Sequence, residues 1–137
     1  MSHRFLEHTA DVKFVAEGAT IEEAFSSAAD AMAETVRGDI KILEQEAVSF
    51  EVEGTDLGML LYNFLEEFLF LLYAQDFLMA KVTEIKIDAE NFKLSCTIVG
   101  DKAENYKFTN DVKAITYSDM FVEKGDGGWK VQAVLDV

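Results

Sequence analysis

The residues best placed for chemistry lie at the two ends of the chain. Near the start, His8-Thr9-Ala10-Asp11 is a polar junction between two extended segments, and near the end Asp136 stands beside Val137 and its main-chain carboxylate. Hard divalent cations favour clustered carboxylate oxygens, and two such groups at one strand end can supply them. Plainer roles stand next to these. Asp11 can bond the amides of its own turn, and Asp136 can belong to a frayed end. His8 is open between a satisfied structural histidine and a ligand or base. Lys113 begins Lys113-Ala114-Ile115-Thr116-Tyr117, where a lysine either guards a sheet edge or engages a carboxylate or phosphate.

Other candidates read as structure. The pairs Glu22-Glu23 and Glu66-Glu67 suit a helix start and a solvated or partner-facing helix stripe, and Glu44 to Glu46 a loop. Cys96 shares a strand face with Phe92, Leu94 and Ile98, the setting of a buried structural thiol. With one cysteine and two histidines, an internal disulfide is ruled out and a Cys/His zinc site is implausible. Gly125-Asp126-Gly127-Gly128 lies between two strand patterns rather than ahead of a helix, so it is a hairpin turn and not a phosphate cradle.

The elements that must carry these residues follow from periodicity. Arg4 to Glu7 and Val12 to Glu17 are short extended segments, and Gly18 ends the second. Thr20 caps a helix, with Glu23 completing a capping box, and Gly38 stops it. Ile21, Ala24, Phe25, Ala28, Met32 and Val36 recur on its apolar side, with Glu22, Ser26, Asp30 and Glu34 outside. Val48, Phe50 and Val52 alternate with polar residues as in a half-buried strand. Gly54-Thr55-Asp56 then breaks the strand and caps a second helix, roughly Leu57 to Gln75, apolar around most of its circumference. Asn63, Glu66 and Glu67 interrupt its apolar run, which is short for a membrane span, so the expectation is a buried helix of a soluble protein. Two hairpins follow, Val82 to Asp88 with Phe92 to Val99, and Val112 to Glu123 with Trp129 to Val137. This order predicts an α+β fold: a mixed, mostly antiparallel sheet packed against two helices, in a single two-layer domain over residues 1–137.

Charge narrows the partners. Against 12 Lys and Arg stand 26 Asp and Glu, a formal net charge of −14. Such a surface repels phosphate backbones, which argues against tight autonomous binding to nucleic acid and suits a basic protein or a divalent cation. No signal-peptide core precedes His8, and the expectation is a reduced, cytoplasmic protein without a membrane role.

Three segments in order resemble the archease family: Phe5-Leu6-Glu7-His8-Thr9-Ala10-Asp11-Val12, Val112-Lys113-Ala114-Ile115-Thr116-Tyr117 and Val134-Leu135-Asp136-Val137. Asn91-Phe92-Lys93-Leu94 and Thr20-Ile21-Glu22-Glu23-Ala24-Phe25 add to the likeness, which runs from Phe5 to Val137. The sequence departs from the family where Ser118 stands in place of a frequent histidine, and residues 107–111 form a variable stretch. The resemblance implies an accessory protein, not an enzyme. It would activate the GTP-dependent tRNA-splicing RNA ligase, speeding guanylylation and multiple turnover. It further implies a metal site, with calcium the expected occupant, built from Asp11, Asp136 and the terminal carboxylate on Val137. Lys113 would take part in activation, and His8 would shape the Asp11 loop or orient a ligand. Two rival readings are a chaperone-like modulator of other RNA-modifying enzymes and a metal-dependent hydrolase using the same carboxylates. The second lacks a recognisable nucleophile–base pair.

Overall fold

The computed structural model describes residues 1–6, 11–107 and 112–137. Strands β1 (Ser2–Leu6) and β2 (Asp11–Gly18) lead into helix α1 (Ile21–Arg37), then strand β3 (Glu46–Glu53) and helix α2 (Leu57–Ala74). Strands β4 (Phe77–Asp88) and β5 (Lys93–Lys102), a short 3₁₀ turn, and strands β6 (Ala114–Gly125) and β7 (Gly128–Asp136) complete the order.

The α+β class stands, and the topology refines it. The strands divide between two sheets, ordered β1-β2-β7-β6 and β3-β5-β4, and every neighbouring pair is antiparallel. A single mixed sheet was the expectation, because alternation along a strand fixes its faces but not its neighbour. Both helices touch both sheets: α1 lies on β1, β2, β7 and β4, and α2 on β6, β3, β4 and β5.

Local chemistry explains where the helices begin and end. Thr20 Oγ1 accepts from the Glu23 amide at 3.1 Å, and Gly38, at φ 62°, donates its amide back to Glu34 O at 2.8 Å. The reciprocal half of the capping box, a bond from the Thr20 amide to the Glu23 carboxylate, is not formed among the described residues, where Glu23 Oε2 is buried without a hydrogen-bond partner. Helix α1 is covered on more than its apolar stripe, because β4 packs on it as well as the strands of the first sheet. Ala24, Ala28, Ala29, Ala31 and Ala33 are all buried, and their small side chains let the sheets approach closely. Asp30, expected outside, is half-buried, and that burial raises its carboxyl above the ordinary range.

Helix α2 is long and apolar enough to cross a membrane by length and composition alone. In the fold its N-terminus is capped by Asp56, whose Oδ1 accepts from the Met59 amide at 2.7 Å. Phe64, fully buried, lies 5.7 Å from the Phe25 ring of α1, 6.2 Å from Phe50 of β3 and 5.1 Å from Phe68. This aromatic cluster ties both helices to the second sheet.

Two strands depart from the regular pattern. β4 begins at Phe77 rather than near Val82, and Phe77, Leu78 and Met79 are buried, with register shifts after Met79 and Val82. Gly100 faces this segment, and a Cβ there would meet Leu78 O at 2.1 Å, so only glycine fits. In β6, five steps from Thr116 to Phe121 oppose two from Val134 to Gln132. The three extra residues form a bulge, with Asp119 in the left-handed region at φ 58°.

Candidate functional site

The register of the first sheet brings the ends of the chain together. Asp11 opens β2 and Asp136 closes β7, and the two are direct cross-strand partners. Directly opposed residues point to the same face, with Cβ atoms about 4.5–5.5 Å apart. Asp136 is also the partner of Ala114 on β6, so it sits mid-sheet, flanked on both sides.

The core sets this register. Phe14 and Leu135 are fully buried and Ile115 is 4% exposed, so none of the three strands can slip by one residue without turning such a side chain to solvent. Lys113 stands one residue before β6, and its amide donates to Asp136 O at 2.7 Å. Val112 beside it is fully buried, and its carbonyl accepts from Tyr73 Oη of α2 at 2.9 Å. The Lys113 side chain is exposed and makes no ion pair among the described residues, while Val137 follows Asp136 at 36% exposure. Asp11, Asp136, Val137 and Lys113 therefore gather at one sheet end. His8 lies outside the described residues.

Lys13 and Asp119 were not among the expected residues. Lys13 follows Asp11 by two, so strand alternation puts it on the same face, a signal that was present in the sequence. Its Nζ lies 3.4 Å from Asp119 Oδ2, and Asp119 O accepts from Gln132 Nε2 at 2.7 Å. Asp119 reaches that position only through the β6 bulge, which no local pattern announced.

The donor set suits a hard cation. Like charges directly opposite across a strand pair repel, and a divalent ion between them relieves that repulsion. Among the described residues no group of three or more His, Cys, Asp or Glu side chains forms a ready cage. Two aspartates fall short of the six to eight oxygens calcium takes. Water or the groups of another molecule would fill the rest.

The chain matches the Archease protein family (MTH1598/TM1083) over residues 3–137. It is 37% identical to Protein archease of Methanosarcina mazei, covering 98% of this chain and 95% of that one. Identity to Protein archease of Pyrococcus abyssi is 40%, over 96% and 95%. The Protein archease-like chain of Drosophila melanogaster is 35% identical, over 100% and 91%. Among solved structures, protein 1598 of Methanobacterium thermoautotrophicum, determined in solution, superposes with a TM-score of 0.81 at 30% identity, covering 98% of each chain.

Proposed function

This chain belongs to the archease family, and we propose that it is a non-catalytic accessory protein that activates the GTP-dependent tRNA-splicing RNA ligase in the cytoplasm. The observation that carries the reading is the pairing of Asp11 with Asp136 across β2 and β7, with Lys113 bonded beside them through its amide. Asp11, Asp136 and the carboxylate on Val137 would hold a divalent ion, calcium by the hardness of the donors. When bound, the ion supplies positive charge that lets a carboxylate cluster approach a guanylylation site.

The protein's own residues do the rest. The buried flanks of β2, β6 and β7 hold both carboxylates in place before the partner arrives, which lowers the ordering cost of docking. A chain of net charge −14 is drawn to the basic, nucleotide-binding mouth of a ligase, which raises the rate of encounter. Lys113, exposed and lacking an ion pair among the described residues, is available to a carboxylate or phosphate of the partner.

The test is multiple-turnover RNA ligation by the ligase, with GTP and manganese, with and without this protein. Substoichiometric stimulation, lost in Asp11→Ala, Asp136→Ala and Lys113→Ala while the fold persists, is expected. Wild-type stimulation by the variants would remove the site. No stimulation of a competent ligase, with aggregation of other RNA-modifying enzymes suppressed, would favour the chaperone-like role. Phosphoester turnover by the purified chain alone, lost in Asp11→Ala, would favour the hydrolase.

A further inference from the structure

Helix α2 exposes an apolar stripe to solvent at Phe70 and Tyr73. Met59, Tyr62, Glu66, Phe70 and Tyr73 recur every three or four residues, which places them on one face. Phe70 is 51% exposed and Tyr73 53%, although the opposite side of the helix is buried in the core. Tyr117, 51% exposed on the β6 bulge, widens the stripe by stacking on Tyr62 with ring centroids 4.4 Å apart and planes 6° from parallel. Its hydroxyl contacts Met59 Sδ.

The charge on the stripe is of one sign. From Leu57 to Ala74 the only charged residues are Glu66 and Glu67. Glu66 beside Tyr62 raises its phenol above the ordinary range, and burial together with the charges of Asp56 and Glu66 does the same to Tyr117. The stripe spans about 16 Å from Tyr62 to Tyr73 at 1.5 Å per residue. It runs alongside β6 and ends where Tyr73 bonds Val112, next to Lys113.

We propose that this stripe, Tyr62, Glu66, Phe70 and Tyr73 with Tyr117, is the docking surface for a basic protein partner whose arginine side chains stack on its rings and pair with Glu66. The inference rests on the ligase reading and names the surface through which that partner is held. Charge decides the occupant. A second copy would set Glu66 against like charge, and an anionic lipid surface would meet a chain of net charge −14. Guanidinium groups match both parts of the stripe, stacking on aromatic faces and pairing with carboxylates. Because the stripe runs on to the Asp136 end of the sheet, one partner can grip the helix and face the carboxylates together.

The experiment measures binding of the full chain to the purified ligase by titration calorimetry at two salt concentrations, for wild type, Glu66→Lys and Phe70→Ala. Both substituted side chains are solvent-facing, and thermal unfolding checks that the variants fold. Each is expected to weaken binding about tenfold or more, as loss of a central aromatic or charged anchor does. The wild-type affinity falls with added salt, and the fall is shallower for Glu66→Lys. Wild-type affinity in both variants would overturn this inference and leave the ligase reading standing. A wild-type chain that neither binds nor stimulates the ligase would remove both. Two further results would also overturn it. One is flotation of the chain with phosphatidylcholine or phosphatidylserine vesicles. The other is a wild-type dimer, in sedimentation of the chain alone, that Phe70→Ala dissolves.

Discussion

Replacing Asp136 with Asn should move thermal stability in opposite directions with and without calcium. In chelator the substitution removes one of two like charges carried on side chains whose Cβ atoms lie about 5 Å apart across β2 and β7. At a half-exposed strand end the effective dielectric is close to that of water, so the relief is about 1 kcal/mol. The unfolding entropy of 137 residues is about 0.3 kcal/mol per degree. The variant should therefore melt about 3 °C above wild type in chelator. Calcium at a hundred times its dissociation constant stabilises the wild type by about 2.7 kcal/mol, a rise of about 9 °C. If the site is weakened a hundredfold in the variant, the same calcium contributes about 0.4 kcal/mol, or about 1 °C. Differential scanning calorimetry in chelator and in a calcium series measures all four values. A variant that gains the full wild-type shift, or a wild type that gains nothing, would refute the reasoning. So would a drop of several degrees in chelator, because it would mean that the Asp136 carboxylate stabilises the ion-free fold.

Three other outcomes follow from the core and from titrating groups. Phe64→Ala should cost about 3–5 kcal/mol, since a fully buried ring is lost from a cluster shared by both helices and β3; urea unfolding with an unchanged slope checks it. Burial pushes the Cys96 thiol up to about 12, so a disulfide reagent at pH 8 should leave the native protein unmodified and label it at once in denaturant. The Tyr106 hydroxyl, 2.8 Å from Asp101 Oδ2, together with the Lys102 amide holds the Asp101 carboxyl below its ordinary range. A depressed folded-state pKa stabilises above the unfolded value and is lost as pH falls through the folded one. Tyr106→Phe should raise the Asp101 midpoint in an NMR titration and reduce the stability lost between neutral and acid pH; an unmoved midpoint would show that the tyrosine does not set it.

Much of the frame could be read from short-range chemistry. Thr20 caps the first helix as predicted, and of Gly54-Thr55-Asp56, read as the cap of the second, Asp56 supplies the bond. The alternation of Val48, Phe50 and Val52 gave β3, and Gly125 to Gly128 gave the β6–β7 turn. What escaped depends on contacts distant in sequence. Phe77-Leu78-Met79 follows α2 after only Gln75 and Asp76 and does not alternate, so its pattern does not mark it as strand. The division into two sheets is a matter of which edge each strand finds, and the β6 bulge is set by what Asp119 meets across the sheet. The carboxylate end is a middle case. Asp11 and Asp136 each lay visibly at a strand end, but their direct opposition needed the pairing of β2 with β7, whose residues are more than a hundred positions apart.

That pairing also orders events in time. β7 lies between β2 and β6 and hydrogen-bonds to both, yet it follows all the other described strands in sequence and leaves the ribosome after them. Until it arrives, β2 has no inner neighbour and Leu135 leaves a gap in the core. Contacts this distant in sequence form late and slowly. A nascent or truncated chain that stops before β7 would thus lack Asp136, and a misfolded one would lack the place that holds it. Whatever recognises the paired aspartates reads, in the same contact, that synthesis has reached the last strand and that the first sheet has closed.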